Sequence, residues 1–167
     1  MKIVVAPDSF KGNLSALKVA EFIEAGIKQA DENIEVVKIP VADGGEGTVE
    51  AIVTATGGKI IKQRVHGPFM QEIDSFFGIS GDGKTAVIEM AACAGIMLVK
   101  KEELNPLNTT TYGVGELILA AKNLGCDRII LGIGGSATND GGMGMAQALG
   151  YKFYDKENKL LGQGGKY

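Results

Sequence analysis

Residues 128–150 read RIILGIGGSATNDGGMGMAQALG, and this stretch decides the fold. A β-branched run at 128–132 gives way to a loop crowded with Gly, Ser, Thr, Asn and Asp. A helical segment follows, with Met143, Ala146 and Leu149 three apart before the stop at Gly150. The order is strand, glycine-bearing loop, helix, and it occurs twice upstream. Residues 2–6 lead into PDSFKGN (7–13) and a helix from about 15 to 30, where Val19, Ile23 and Ile27 recur every four residues. Residues 34–40 lead into VADGGEG (41–47) and a helix to about Thr56 on Val49, Ile52 and Val53, closed by Gly57 and Gly58. A further helix, about 112–124, follows the hydroxyl run Thr109, Thr110 and Thr111. It keeps Val114, Leu117, Ile118 and Ala121 on one side and stops at Gly125.

Strands alternating with helices imply a mainly parallel sheet with right-handed crossovers and helices on both faces. The loops after its strands emerge on one carboxyl rim, where open α/β sheets hold their ligands. The middle of the chain differs. Runs at 60–65, 72–77 and 85–90 are joined by turn signals at Gly67-Pro68 and Gly81-Asp82-Gly83, which predicts antiparallel hairpins. The expected organisation is an α/β lobe built from 1–58 and 108–167 as one sheet. An inserted, β-rich second lobe would occupy 59–107.

Composition narrows the function classes. With 167 residues, folding hides roughly 70% of the unfolded surface, enough for a core without metal or disulfide staples. Hydrophobic residues at 45% exclude a disordered chain, and a net charge of −3 with no basic stripe excludes nucleic acid as the expected partner. The longest apolar run, 86–99, is fourteen residues broken by Glu89, too short for a membrane span. The opening KIVVA is too short for a signal peptide. Cys93 and Cys126 lack metal-like spacing and fit buried, reduced thiols of a cytoplasmic protein.

Three loops carry the chemistry. In 132–142, glycines let a backbone approach a ligand and successive N–H groups form an anion nest over Gly134, Gly135, Gly141 and Gly142. Ser136, Thr138 and Asn139 add hydrogen-bonding groups, and Asp140 is a candidate Mg²⁺ ligand; a plain helix cap by Asn139 or Asp140 is the competing reading. In 41–47, Asp43 and Glu46 are candidates for a metal ligand or for a base toward a hydroxyl, against a cap and a dipole partner. In 7–13, Asp8, Ser9 and Lys11 stand just past the first strand, the lysine suited to a phosphate or carboxylate. Gly78 to Thr85 matches the spacing of a phosphate loop, yet the β-branched TAVIEM after Lys84 predicts a hairpin turn instead. His66, beside Gly67-Pro68, reads as a turn residue. A dinucleotide-binding glycine loop is disfavoured, because 132–142 lacks the G-x-G-x-x-G spacing.

APDSFKG (6–12), PVADGGEGTVEA (40–51), GDGKTAVIEMAA (81–92), NPLNTTTYGVGELI (105–118) and GIGGSATNDGGMGMAQALG (132–150), in this order, resemble the bacterial glycerate-2-kinase type of glycerate kinases. The resemblance covers residues 1 to about 150 and is to the N-terminal part of longer family members. Beside the flavodoxin- or Rossmann-like α/β sheet expected from the pattern, it implies two α/β lobes with the site in the cleft between them, and ATP- and Mg²⁺-dependent phosphorylation of D-glycerate. The product would be 2-phosphoglycerate, or 3-phosphoglycerate as in relatives. Under it, Gly134, Gly135, Ser136, Thr138, Asn139, Gly141 and Gly142 would hold nucleotide phosphates, Lys11 would neutralise charge, and Asp140 or Asp43 would hold Mg²⁺. Asp8, Asp43 or Glu46 would orient the hydroxyl. Arg64 or Lys11 would meet the carboxylate, with Ser9, Thr110 and Thr111 also at the substrate. A second reading stays open: a chain that folds and at most binds nucleotide or glycerate. Absence of the family's C-terminal part further implies an exposed apolar surface and self-association.

Overall fold

β1 (Lys2–Val5) and β2 (Glu35–Lys38) pair in parallel, Lys2 opposite Glu35 and Val5 opposite Lys38. A parallel pair needs a crossover, and α1 (Ala16–Ala30) supplies it. Ser15 caps this helix, its hydroxyl oxygen accepting the Lys18 N–H at 3.4 Å. Ala16, Val19 and Ala20 are buried, whereas Phe22 and Ile23 stand 63% and 41% exposed, so part of the apolar stripe has no cover. The computed structural model describes residues 1–10 and 12–167.

A second sheet has the order β3-β4-β5-β6, from β3 (Lys59–His66), β4 (Glu72–Ile79), β5 (Thr85–Glu89) and β6 (Arg128–Gly132). Its first two pairings are antiparallel and the last is parallel, with Glu89 opposite Gly132. Adjacent residues of a strand face opposite sides, and the core follows that rule. On one face α2 (Thr48–Thr56) sets Val49 and Val53 against Phe76 and Val87. On the other, α4 (Tyr112–Asn123) sets Val114, Leu117 and Ala121 against Phe77, Ala86 and Ile88. The short helices α3 (Ala91–Ala94) and α5 (Met143–Ala148) follow β5 and β6.

This topology corrects the expectation that the flanking α/β units build one mainly parallel sheet apart from an inserted lobe. β6 pairs with β5, a strand of the 59–107 segment, while β1 and β2 form their own two-stranded sheet. The reason lies in β5: all five of its residues are buried, which suits a central strand covered on both faces, and it pairs with β4 on one edge and β6 on the other. Helices on both faces hold for the four-stranded sheet, and its antiparallel part is the expected hairpin pair.

The 80–85 turn is a hairpin turn, as its sequence predicted. Asp82 accepts from Ser80 Oγ at 2.6 Å, Lys84 N at 2.8 Å, and Thr85 N and Oγ1 at 2.9 and 2.7 Å. The Ser80 hydroxyl, then these other donors, hold its carboxyl well below the usual carboxylate range. His66 ends β3, its Nδ1 2.9 Å from Glu116 Oε1. Both cysteines are free and buried, and desolvation pushes the Cys93 thiol up to about 12. Among the described residues, no helix is long and apolar enough to cross a membrane.

Candidate active site

Three strand-end loops meet through their backbones. Val41 N–H donates to Pro7 C=O at 3.0 Å, joining the loops after β1 and β2. Gly134 N–H donates to Gly44 C=O at 3.0 Å, joining the loops after β2 and β6. The segment after β5 joins the β6 loop in turn, with Ile96 N–H on Gly135 C=O and Ala137 N–H on Ala94 C=O at 2.8 and 2.9 Å. The approach is so close that a Cβ at Gly132 would lie 2.4 Å from Gly44 O, and one at Gly134 would lie 2.8 Å from Gly45 N. These two glycines serve loop-to-loop contact before any ligand is considered.

Loops that converge at the strand ends nevertheless divide across the two faces of the sheet. On the α2 face lies a cavity of about 440 Å³ bordered by Ser9, Asn13, Glu46, Glu50 and Glu89. A neighbour of about 340 Å³ shares Glu46, Phe76 and Glu89 with it and adds Asp74, Ile96, Met97, Leu98 and Gly135. On the α4 face, a cavity of about 270 Å³ is bordered by Thr111, Ser136, Thr138, Asn139, Asp140, Gly141 and Gly142.

The two sides differ in what their polar groups are doing. On the α4 side they bind one another. Asp140 accepts from Thr111 N at 2.8 Å, Thr111 Oγ1 at 2.9 Å, Gly142 N at 3.0 Å, Gly144 N at 3.1 Å and Thr110 Oγ1 at 3.4 Å. Thr111 Oγ1 also accepts Met145 N–H at 2.9 Å, and Thr109 Oγ1 donates to Ala137 C=O at 2.8 Å. Thr138 N–H goes to Ser136 Oγ at 2.9 Å. The anion nest expected over 134–142 therefore has the N–H groups of Gly134, Ala137, Thr138 and Gly142 committed within the protein. Thr110 and Thr111, 2% and 7% exposed, hold this loop to α4. Asp140 is a clasp between α4 and α5, its carboxylate oxygens occupied by protein donors.

On the α2 side one buried side-chain polar atom is left over among the described residues. Ser9 Oγ is buried without a hydrogen-bond partner, at the edge of the 440 Å³ cavity. Exposed Glu46 borders both cavities there, and exposed Asp8 accepts the Ser9 N–H at 2.6 Å. Asp43 accepts the Gly45 N–H at 3.0 Å at the turn into α2. Arg64 stands apart on β3, 68% exposed and paired with Glu72 at 3.0 Å. Its cavity, about 620 Å³, meets the 340 Å³ one at Asp74 and Phe76. Lys11 lies outside the described residues. Among the described residues, no group of three or more His, Cys, Asp or Glu side chains is placed to hold a metal ion.

Sequence reasoning passed over Glu89. It is 3% exposed at the carboxyl end of β5 and borders both α2-side cavities. Burial, its largest perturbation, raises its carboxyl above the usual range; the N–H groups of Val49, Gly47 and Thr48 act in the opposite direction, and Glu46 adds repulsion. A lone acid inside an apolar run at a strand's carboxyl end was the available signal.

Comparison with known proteins bears on this geometry. The family model described as Glycerate kinase family matches residues 3–167. A glycerate kinase of Haemophilus influenzae is 58% identical over 99% of this chain and 44% of its own length. The glycerate 2-kinase of Escherichia coli is 54% identical over 99% of this chain and 43% of its own. The crystal structure of a candidate glycerate kinase 2 from Salmonella typhimurium LT2 superposes with a TM-score of 0.84 at 52% identity, over 99% of this chain and 44% of that one. This chain thus spans less than half the length of these relatives. With the motifs, the α/β architecture and the family match in agreement, the chain belongs to the glycerate kinase family.

Proposed function

We propose that this chain supplies one part of a kinase site that phosphorylates a hydroxyl of D-glycerate, giving 2-phosphoglycerate or its 3-phospho isomer. The observation that carries the reading is the buried, unpartnered hydroxyl of Ser9 beside Glu46 and Glu89. An unmet buried polar group costs about 1–3 kcal/mol, a cost that a small polyhydroxy acid in the cavity removes. Ser9 binds the substrate's oxygens, and Glu46 or Asp8 orients the reacting hydroxyl. Asp43 is the carboxylate for Mg²⁺, an ion that commonly takes one or two protein carboxylates and completes its shell with phosphates and water. ATP and Mg²⁺ bring the γ-phosphoryl group and the neutralising charge. Gly135, Ser136 and Asn139 remain the nucleotide-side candidates. The two buried free thiols fit a reducing, cytoplasmic setting.

A second reading, binding without turnover, draws on charge. Among the described residues bordering the two α2-side cavities, every ionisable group is an acid, whereas glycerate and phosphate are anions. One experiment separates the two: ADP release by the purified 167-residue chain, of verified mass, with and without D-glycerate. Release that requires D-glycerate is expected, with Ser9→Ala lowering kcat/KM about tenfold, the worth of one hydrogen bond. Binding of glycerate with no ADP release would favour the second reading.

Association belongs to the same proposal. Ile129 and Ile130, 41% and 46% exposed, stand on opposite faces of edge strand β6. Parallel strands are ordinarily covered on both faces. Sedimentation equilibrium should therefore show mass rising with concentration, and a strictly monomeric chain would remove the proposal.

A further inference from the structure

α2 begins without a cap of its own. Its N-cap is Gly47, in the left-handed region at φ 93°, with no side chain to accept a hydrogen bond. Free N–H groups at a helix start call for an acceptor, and one arrives from forty positions along the chain. Glu89 Oε2 accepts the Val49 N–H at 3.1 Å. The carboxylate that does this is almost wholly buried and forms the wall shared by the two α2-side cavities.

We propose that Glu89 is a positioning residue of the candidate site: its carboxylate, carried on β5, caps α2 across the sheet and so fixes the 43–47 loop, with Asp43 and Glu46, between the two cavities. The proposal rests on the site reading above but has a readout of its own. At φ 93° a serine or aspartate in place of Gly47 would be strained, so this turn does not favour a local side-chain cap. The use of a buried acid from another element ties the loop instead to the β5–β6 pair, where Gly132 and Gly134 receive it. Among the described residues, the charged groups lining the cavities beside this carboxylate are Glu46 ahead of α2, Glu50 on α2 and Asp74 on β4, all acids. Its buried charge thus costs stability, a cost accepted at functional sites more often than in plain cores.

The sign follows from linkage. Because the folded value lies above the unfolded one, near 4.5, this group's contribution is fully favourable below that pH. It is lost as pH rises through the folded value. Glu89→Gln should therefore be at least as stable as the wild type near neutrality. Its amide oxygen still accepts from Val49, but its NH₂ cannot accept from Gly47 or Thr48.

The test is ¹⁵N NMR of the full 167-residue chain across pH. In the wild type the Gly47, Thr48 and Val49 amides should titrate together, with a midpoint above that of an ordinary glutamate, and in Glu89→Gln this titration should vanish. In Glu89→Ala the same amides should exchange with solvent about 10- to 100-fold faster, the loss of one hydrogen bond to a charged acceptor. Unmoved amides in Glu89→Ala, or a titration that persists in Glu89→Gln, would overturn the proposal. Should Glu89→Ala fail to fold, the wild type and Glu89→Gln decide it alone. Absence of glycerate-dependent ADP release would overturn the kinase reading and leave this readout intact. If turnover is present, Glu89→Ala should lower kcat far more than it raises KM.

Discussion

Replacing Asp140 with Ala should lower the free energy of unfolding by about 3 kcal/mol, measured by urea denaturation. Asp140 is where α4 and α5 are joined. It accepts from the backbone at Thr111, Gly142 and Gly144 and from the hydroxyl of Thr111. Alanine strands all of these donors in a half-buried place; a hydrogen bond to a charged acceptor contributes about 1.5–3 kcal/mol net of exchange with water, and bonds that share one carboxylate do not add. Thr111 then loses its orientation and with it the Met145 N–H, so the start of α5 frays. Asp140→Asn keeps one acceptor oxygen and places an NH₂ among donors, which should cost about half as much. A metal ligand behaves differently: its removal changes the Mg²⁺ dependence of turnover, while stability in urea measured without Mg²⁺ changes little. An Ala variant within 0.5 kcal/mol of the wild type, about the scatter of ordinary surface substitutions, would return Asp140 to the metal.

That contrast shows what the sequence could and could not reveal. The elements themselves were legible, because each rests on local periodicity: Val19 and Ile27 in α1, Leu117 and Ala121 in α4, the β-branched run of β6. The turn at 80–85 was legible too, since Asp82 and two glycines make a hairpin whatever surrounds them. The pairing of β5 with β6 was not. TAVIE suits an edge or an interior strand, and only its pairing with β4 on one side and β6 on the other shows that both edges are taken. Site chemistry is ambiguous in the same way. Serines, threonines and an aspartate beside glycines look alike whether they bind a phosphate or one another. Here the groups after β6 mostly bind one another, while the loop after β1 keeps a buried hydroxyl unmet. Glu89 was hidden by its neighbours, because an acid inside AVIEMAA reads as an interruption until α2 is placed above it.

The largest functional effect should come from a single methyl group. Gly134→Ala places a Cβ 2.8 Å from Gly45 N and 2.9 Å from Gly45 Cα. Both are backbone atoms, so no side chain can swing aside, and one loop must move. The Gly134 N–H to Gly44 C=O bond at 3.0 Å is the seam between the loops after β2 and β6, and it opens first. Stability should fall by about 1–3 kcal/mol, the usual cost of overpacking. Activity should fall much further. Asp43 and Glu46 ride on the displaced loop, and a misplacement of about 1 Å can cost on the order of 100-fold in rate. Glycerate-dependent turnover is therefore expected to drop about 100-fold under conditions where circular dichroism shows the chain still folded. Gly26→Ala is the control. It sits in α1 with no atom within 4 Å of the added Cβ, and alanine in a helix interior should add about 0.5–1 kcal/mol of stability with turnover unchanged. If Gly134→Ala turned over like Gly26→Ala, the contact between these two loops would have no part in forming the site. The α2-side cavities would then have to be assembled from the β1 loop and β5 alone.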